Sequence, residues 1–240
     1  MIEVKYKILI TMKHRESLKS IYKNLLDAYG PQEWWPAESN FEVIIGAILV
    51  QNVSWKNAKI AIESVKSKGL LNPDSLYKID EKSLSTMIRS SRFYNQKATK
   101  IKNFVNHLYK HHNGLLDNLF TGNADEIRKE LLGIKGIGKE TADCILLYAG
   151  NKLSFPSDAY TKRIMSRYGL IPADSNYNEM RKYFMENIDQ NLYIYNEFHA
   201  LIDHHGNRTC KSVPQCLECP IKKISNEIFC RSHYEVEAEK

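Results

Sequence analysis

The chain has 240 residues, of which 43% are hydrophobic, and it carries a formal net charge of +6 at neutral pH. A chain of this length can bury one large core or two small ones. No apolar run is long enough to span a bilayer, and charged residues interrupt the N-terminus where a secretory signal would be apolar. We therefore expect an intracellular protein, cytoplasmic or nucleoid-associated, and the excess of positive charge weakly favours a polyanionic partner.

Apolar residues at helical spacing organise the first half of the chain. Residues 1–15 alternate like a short strand with no partner nearby, whereas residues 16–29 place their apolar side chains on one helical face. Segment 41–50 is almost wholly apolar and fits a buried strand or a buried helix. An amphipathic helix is predicted at 55–68, and segment 92–98 leads into another that reaches about 110, with Lys97 and the other lysines of the latter on a solvated face.

All three tryptophans, Trp34, Trp35 and Trp55, flank the apolar segment 41–50. Tryptophans usually pack in cores or between helices. An alternative is a stacking pocket for an extruded base, because any base can stack on an indole ring. The pattern itself leaves both interpretations open.

Two predicted helices, 124–132 and 139–149, are joined by the glycine-rich turn 133–138. Such a turn can simply reverse the chain. It can also present backbone N–H groups at a helix N-terminus, where they bind an anion such as phosphate. The glycines Gly136 and Gly138, followed by Lys139 and Thr141 as further donors, favour phosphate binding.

Past this hairpin, Pro156 requires an extended entry to Asp158, which can cap a helix over 159–168. Helices are also predicted at 176–187 and 191–205. Four of the five cysteines then follow in the spacing Cys-x5-Cys-x2-Cys-x10-Cys. With no secretory signal, these four favour a metal over disulfides, and they can ligate a zinc ion or a [4Fe–4S] cluster. The four are Cys210, Cys216, Cys219 and Cys230.

The hairpin, an aspartate one helix beyond it and a C-terminal cysteine cluster occur here in a known order. In that order the chain resembles the helix-hairpin-helix DNA glycosylases of the endonuclease III superfamily. The resemblance implies an all-α fold in which segment 41–50 is a central helix and Asp158 is catalytic. It also implies a [4Fe–4S] cluster, with zinc as the alternative, although the family spacing x6, x2, x5 differs from that found here. The implied partner is double-stranded DNA with damaged bases, bound by a monomer.

The resemblance also assigns site residues. In the 3-methyladenine branch of the superfamily, aromatic residues at the positions of Trp34 and Trp55 frame the base pocket, and we add the neighbouring Trp35. A glutamine at the position of Gln51 enters the gap left by the flipped base, and we expect Asn52 beside it to contact DNA. Lyase members carry a nucleophilic lysine at the position occupied here by Glu140, which we also assign to the base pocket.

The resemblance therefore predicts a monofunctional glycosylase that releases an alkylated purine such as 3-methyladenine. Mismatched thymine or uracil and oxidised bases, with or without lyase activity, are alternatives, as is a DNA-binding or redox-sensing protein without catalysis. We expect two helical subdomains, one formed by 1–50 and 151–209 with Asp158, the other by 51–150 with the hairpin. The cluster loop would occupy 210–230 and a tail 231–240.

Overall fold

The computed structural model describes residues 2–222, 224 and 230, with side chains described from residue 13 onward. Within this part of the chain the regular structure is helical and no strand occurs, so the predicted all-α class is confirmed. Twelve α-helices are labelled in chain order: α1 (Ile2–Tyr29), α2 (Asn40–Leu49), α3 (Trp55–Lys66), α4 (Pro73–Lys78), α5 (Glu81–Met87), α6 (Tyr94–His112), α7 (Leu116–Leu119), α8 (Ala124–Gly133), α9 (Lys139–Cys144), α10 (Ala159–Arg167), α11 (Tyr177–Asn187) and α12 (Leu192–Arg208). Among the helices described, none is long and apolar enough to cross a membrane.

The chain divides into two compact units. Unit 1 contains residues 1–34 and 155–240, and unit 2 contains residues 35–154. Residues 223 and 225–229 of the predicted cluster loop, and the predicted tail 231–240, lie outside the described residues.

In unit 1, helix α12 lies between α1 and α10. Leu18, Ile21 and Leu25 of α1 are fully buried in this core. Nearby, Phe155 stacks on Phe184 with a ring-centroid distance of 4.1 Å. Helix α1 begins at Ile2, so the strand-like alternation of residues 1–15 was misleading. Within the described chain no second strand is present to satisfy its backbone groups, whereas a helix satisfies them internally.

In unit 2, helix α2 is the central element. Every residue from Phe41 to Leu49 is buried. The helix contacts α3, α6, α9 and the π-helical turn Ile145–Ala149 that continues α9. Burial on all sides explains why this segment lacks the polar face of an amphipathic helix.

Lys97 on α6 corrects a prediction, because its side chain is only 2% exposed instead of lying on a solvated face. Its Nζ donates to the carbonyl of Leu49 at 2.7 Å and to that of Ser91. The ammonium thus caps the C-terminal end of α2, where backbone carbonyls lack helical partners. Burial, with a smaller contribution from the charge of Lys100, lowers the pKa of Lys97 to about 8.

Candidate functional site

In the hairpin turn between α8 and α9, Gly136 adopts a positive φ that favours glycine. Gly136 has φ of +104°, and a Cβ there would lie 2.3 Å from Cγ of Lys100. Ile134 and Ile137 are buried beneath the turn. Helix α9 begins after Gly138 without a capping side chain. The backbone N–H groups of a first helical turn have no acceptor within the helix.

Gln51 is fastened to this turn. Its Nε2 donates to Oγ1 of Thr141 at 2.8 Å and to the carbonyl of Gly136 at 3.3 Å. Lys100 Nζ donates to the Gln51 side-chain oxygen at 2.5 Å. Thr141, predicted as a phosphate donor, is buried and accepts this bond. Asn52 is exposed and adopts a left-handed conformation with φ of +54°.

A buried ion pair joins the two hairpin helices. Arg128 on α8 donates from Nε to Oδ1 of Asp143 at 2.7 Å and from Nη2 to Oδ2 at 3.0 Å. Asp143 on α9 is completely buried, and it also accepts a bond from Ser154 Oγ at 2.5 Å. This pairing was not predicted, because the partners are 15 residues apart and no periodic pattern connects them.

The aromatic residues of unit 2 form a group of three rings. Trp35 meets Trp55 edge to face with centroids 5.2 Å apart, and it lies 5.5 Å from Tyr148. Gly46 on α2 permits this packing, since a Cβ there would lie 3.1 Å from the Trp35 ring. Tyr148 was not predicted as a site residue. Trp34 belongs to unit 1, where it is half-buried, and Glu140 is exposed in the first turn of α9.

Asp158 caps α10 as the sequence predicts. Its Oδ1 accepts the backbone N–H of Thr161 at 2.7 Å and the Thr161 hydroxyl at 2.8 Å. Both of these bonds from Thr161 use the same carboxylate oxygen, Oδ1. The cap fixes the carboxylate on a rigid element, and only part of its surface is exposed.

Two residues of α12 respond to the charge of Asp158. Burial and, to a smaller extent, the Asp158 carboxylate raise the pKa of Asp203 to about 6. Burial lowers the pKa of His199, while the attraction of Asp158 for the protonated ring opposes that shift. The charge of Asp158 thus shifts the pKa values of two ionisable side chains on α12, and shifted pKa values are common at functional sites.

The four C-terminal cysteines all belong to unit 1. Cys210, Cys216 and Cys230 are buried, and Cys219 is half-buried. Burial, together with the charges of Cys210 and Cys230, raises the pKa of Cys219 to about 11. Burial raises the pKa of Cys216 as well, and the charges of Cys230 and Cys210 act in the same direction. Both shifts disfavour the thiolate in the absence of a cation.

Helix α10 connects the cysteine segment to Asp158. Arg163 donates from Nε to the carbonyl of Cys210 and from Nη2 to that of Gly206, both at 2.7 Å. One turn later, Arg167 donates from Nη1 to Sγ of Cys210 at 3.0 Å. These contacts of Arg163 and Arg167 with the cysteine segment were not predicted. Their signal in the sequence is the spacing of four residues, which places both arginines on one face of the helix that Asp158 caps.

The donor set fits a metal centre with thiolate ligands. Three of the four cysteines are buried, and a guanidinium donates to the sulfur of Cys210, as would suit a negatively charged tetrathiolate site. His205 on α12 is 1% exposed and places Nε2 3.7 Å from Sγ of Cys219. Its Nδ1 is hydrogen-bonded to the Tyr29 hydroxyl at 2.8 Å.

The all-helical fold and the glycine-rich hairpin between α8 and α9 agree with the class of DNA repair glycosylase that the sequence resembles. Residues 45–190 match the family described as HhH-GPD superfamily base excision DNA repair protein. The chain belongs to this family and is a DNA glycosylase of base excision repair.

Two relatives cover most of the chain. A Methanocaldococcus jannaschii protein, provisionally named a DNA repair glycosylase, is 44% identical over 90% of this chain and 97% of its own length. Endonuclease III of Sulfolobus acidocaldarius is 30% identical over 88% of this chain and 91% of its own.

Among solved structures, the H. pylori 3-methyladenine DNA glycosylase bound to 1,N6-ethenoadenine is 27% identical with a TM-score of 0.70, covering 81% of this chain and 97% of that one. A trapped endonuclease III–DNA covalent intermediate has a TM-score of 0.77 at 19% identity, covering 92% of this chain and 98% of that one, and this likeness concerns the fold.

Proposed function

We propose that the protein is a monofunctional DNA glycosylase that releases an alkylated purine, such as 3-methyladenine, from double-stranded DNA. The observation that carries the proposal is Glu140. It is the second residue of α9, where a lyase would carry its nucleophilic lysine. Lys139 is one residue earlier, about 100° around the helix, so its amine points in a different direction. A carboxylate cannot form the Schiff base through which lyases cleave the strand.

The aromatic group supports an alkylated purine as the substrate. Alkylation gives the purine a positive charge, which attracts it to the faces of electron-rich rings and weakens its bond to the sugar. Trp55 and Trp35, with Tyr148 beside them, supply such rings in unit 2. Trp34 is proposed to act with them, as the resemblance to 3-methyladenine glycosylases implies. The similarity to the H. pylori 3-methyladenine glycosylase agrees with this choice.

Asp158 is proposed to carry the chemistry. Breaking the N-glycosidic bond develops positive oxocarbenium character on the deoxyribose. A carboxylate next to the sugar stabilises that charge and can accept a proton from the attacking water. The cap bonds from Thr161 hold the carboxylate in place, which reduces the reorganisation needed during the reaction.

The hairpin is proposed to bind the DNA backbone. The N–H groups at Gly136 and Gly138, with the exposed Lys139, offer donors to a phosphate without reading sequence. Gln51 and Asn52 are proposed to contact the DNA where the base leaves the helix. For Gln51 this requires release of its bonds to the hairpin, and Lys100 would then lose its acceptor.

The cysteines Cys210, Cys216, Cys219 and Cys230 are proposed to hold a [4Fe–4S] cluster, with zinc as the alternative. When bound, such a centre would supply structural support. Through their hydrogen bonds to Cys210, Arg163 and Arg167 would then fix the position of α10, the helix that Asp158 caps. Analysis of iron, sulfide and zinc in the purified protein decides between the two.

The test is base release from methylated duplex DNA, analysed by chromatography, with uracil- and thymine-mismatch duplexes in parallel. We expect release of 3-methyladenine without strand breakage. Asp158→Asn should abolish release while DNA affinity is largely retained, and Asp174→Asn, an exposed aspartate of the same unit, should leave release unchanged. Equal, negligible release by wild type and Asp158→Asn, with DNA binding intact, would instead establish a binding protein.

Endonuclease III of Sulfolobus acidocaldarius supports the second candidate, a glycosylase with lyase activity on oxidised or mismatched bases. Reduction with borohydride during the reaction separates the candidates. A covalent adduct between protein and DNA requires an amine nucleophile and would refute the monofunctional proposal. Release from the mismatches alone would retain Asp158 as the catalytic group and discard the alkylated purine.

A further inference from the structure

A group of histidine and carboxylate ligands lies at the end of α6, apart from the cysteines. His107 and His112 are on α6, and Glu130 is on α8. Nε2 of His107 lies 2.6 Å from Oε1 of Glu130, and Nε2 of His112 lies 2.5 Å from the same oxygen. The three ligand atoms are all within 4.8 Å of one another.

The three donor atoms lie close enough together to bind a single ion. Two imidazole nitrogens and a carboxylate oxygen are ligands that Zn²⁺ accepts, and three protein ligands leave a fourth position for water.

The group is also accessible to an ion from solvent. The side chains of His107, His112 and Glu130 are 22%, 15% and 32% exposed, respectively. They are buried enough to have fixed positions and open enough for a hydrated ion to enter. Hydrogen bonds alone would need a proton on each ring nitrogen, whereas a metal ion would replace both protons.

We propose that His107, His112 and Glu130 bind a zinc ion that fastens α6 to α8. Helix α8 leads directly into the hairpin turn, and Asn103 of α6 donates to the carbonyl of Lys135 in that turn at 2.9 Å. The ion would thus hold together the two helices that position the hairpin. Its role would be structural, and it does not depend on the choice of DNA lesion.

The experiment measures zinc bound per chain by equilibrium dialysis followed by elemental analysis. Wild type is compared with Glu130→Gln and with His107→Asn, so the cysteine site is the same in every sample. Glu126→Gln, one turn earlier on α8 and exposed, is the matched control. We expect wild type and the control to bind one zinc ion more than either variant. Because loss of an outer-shell partner already lowers metal affinity about 10–100-fold, loss of a ligand should lower it at least tenfold.

Thermal unfolding provides a second measurement that also detects misfolding. Without added zinc, Glu130→Gln should unfold cooperatively, which shows that it is folded. Zinc at about 100 times its dissociation constant should raise the melting temperature of wild type by roughly 5–10 °C and that of the variant much less. Equal zinc binding and equal melting shifts in wild type and Glu130→Gln would overturn the proposal and leave only a hydrogen-bonded bridge.

Discussion

Replacing Arg128 by methionine would test whether the buried ion pair holds the hairpin together. Arg128→Met keeps the aliphatic length of the side chain but leaves the carboxylate of Asp143 without its guanidinium. Asp143 is 0% exposed, and the Arg128 side chain is 13% exposed. Removing one partner of a buried pair costs about 3–5 kcal/mol, because a desolvated charge remains. We expect a loss of this size in the free energy of unfolding.

Urea unfolding followed by circular dichroism measures the loss. Lys129→Met, the exposed neighbour on the same helix, is the control and should stay within about 0.5 kcal/mol of wild type. The double variant Arg128→Met/Asp143→Asn removes the unpaired charge and keeps an acceptor for Ser154, so it should recover much of the stability. A loss below about 1 kcal/mol in the single variant, or no recovery in the double variant, would refute the reasoning.

Three further predictions concern the site. Gly136→Ala forces a side chain into a left-handed conformation against Lys100, so we expect about 1–3 kcal/mol of destabilisation and weaker binding to undamaged duplex DNA. An unchanged affinity in a gel-shift titration would contradict a role for the turn in DNA binding. Asp203, whose pKa rises from 3.8 to about 6, stabilises the fold fully below pH 4 and loses that contribution as pH rises through 6. Asp203→Asn should therefore gain up to about 3 kcal/mol at pH 7.5 and little at pH 4, and equal effects at both pH values would refute this. Arg167→Met removes the donor to Cys210 Sγ, so the purified variant should contain less iron or zinc per chain than wild type, as measured by elemental analysis. Unchanged metal content would show that the arginine is dispensable for metal retention.

The sequence by itself determined the features that depend on neighbours along the chain. Apolar spacing located the helices, and the glycine turn located the hairpin between α8 and α9. The cap at Asp158 could be predicted because a capping side chain bonds its own backbone three residues on. The crowding of four cysteines into one segment likewise predicts a shared metal or cluster, which stays a prediction.

Only the tertiary structure decided which polar residues meet. Lys97 has the same local pattern as a surface lysine, but two carbonyls from other segments surround it. Arg128 pairs with Asp143, and His107 and His112 converge on Glu130, through contacts between helices. Hydrophobic periodicity records which face of a helix is buried, whereas these pairings depend on how the helices pack around α2. Local sequence therefore specified the elements, and packing between them created the ion pairs and the ligand clusters.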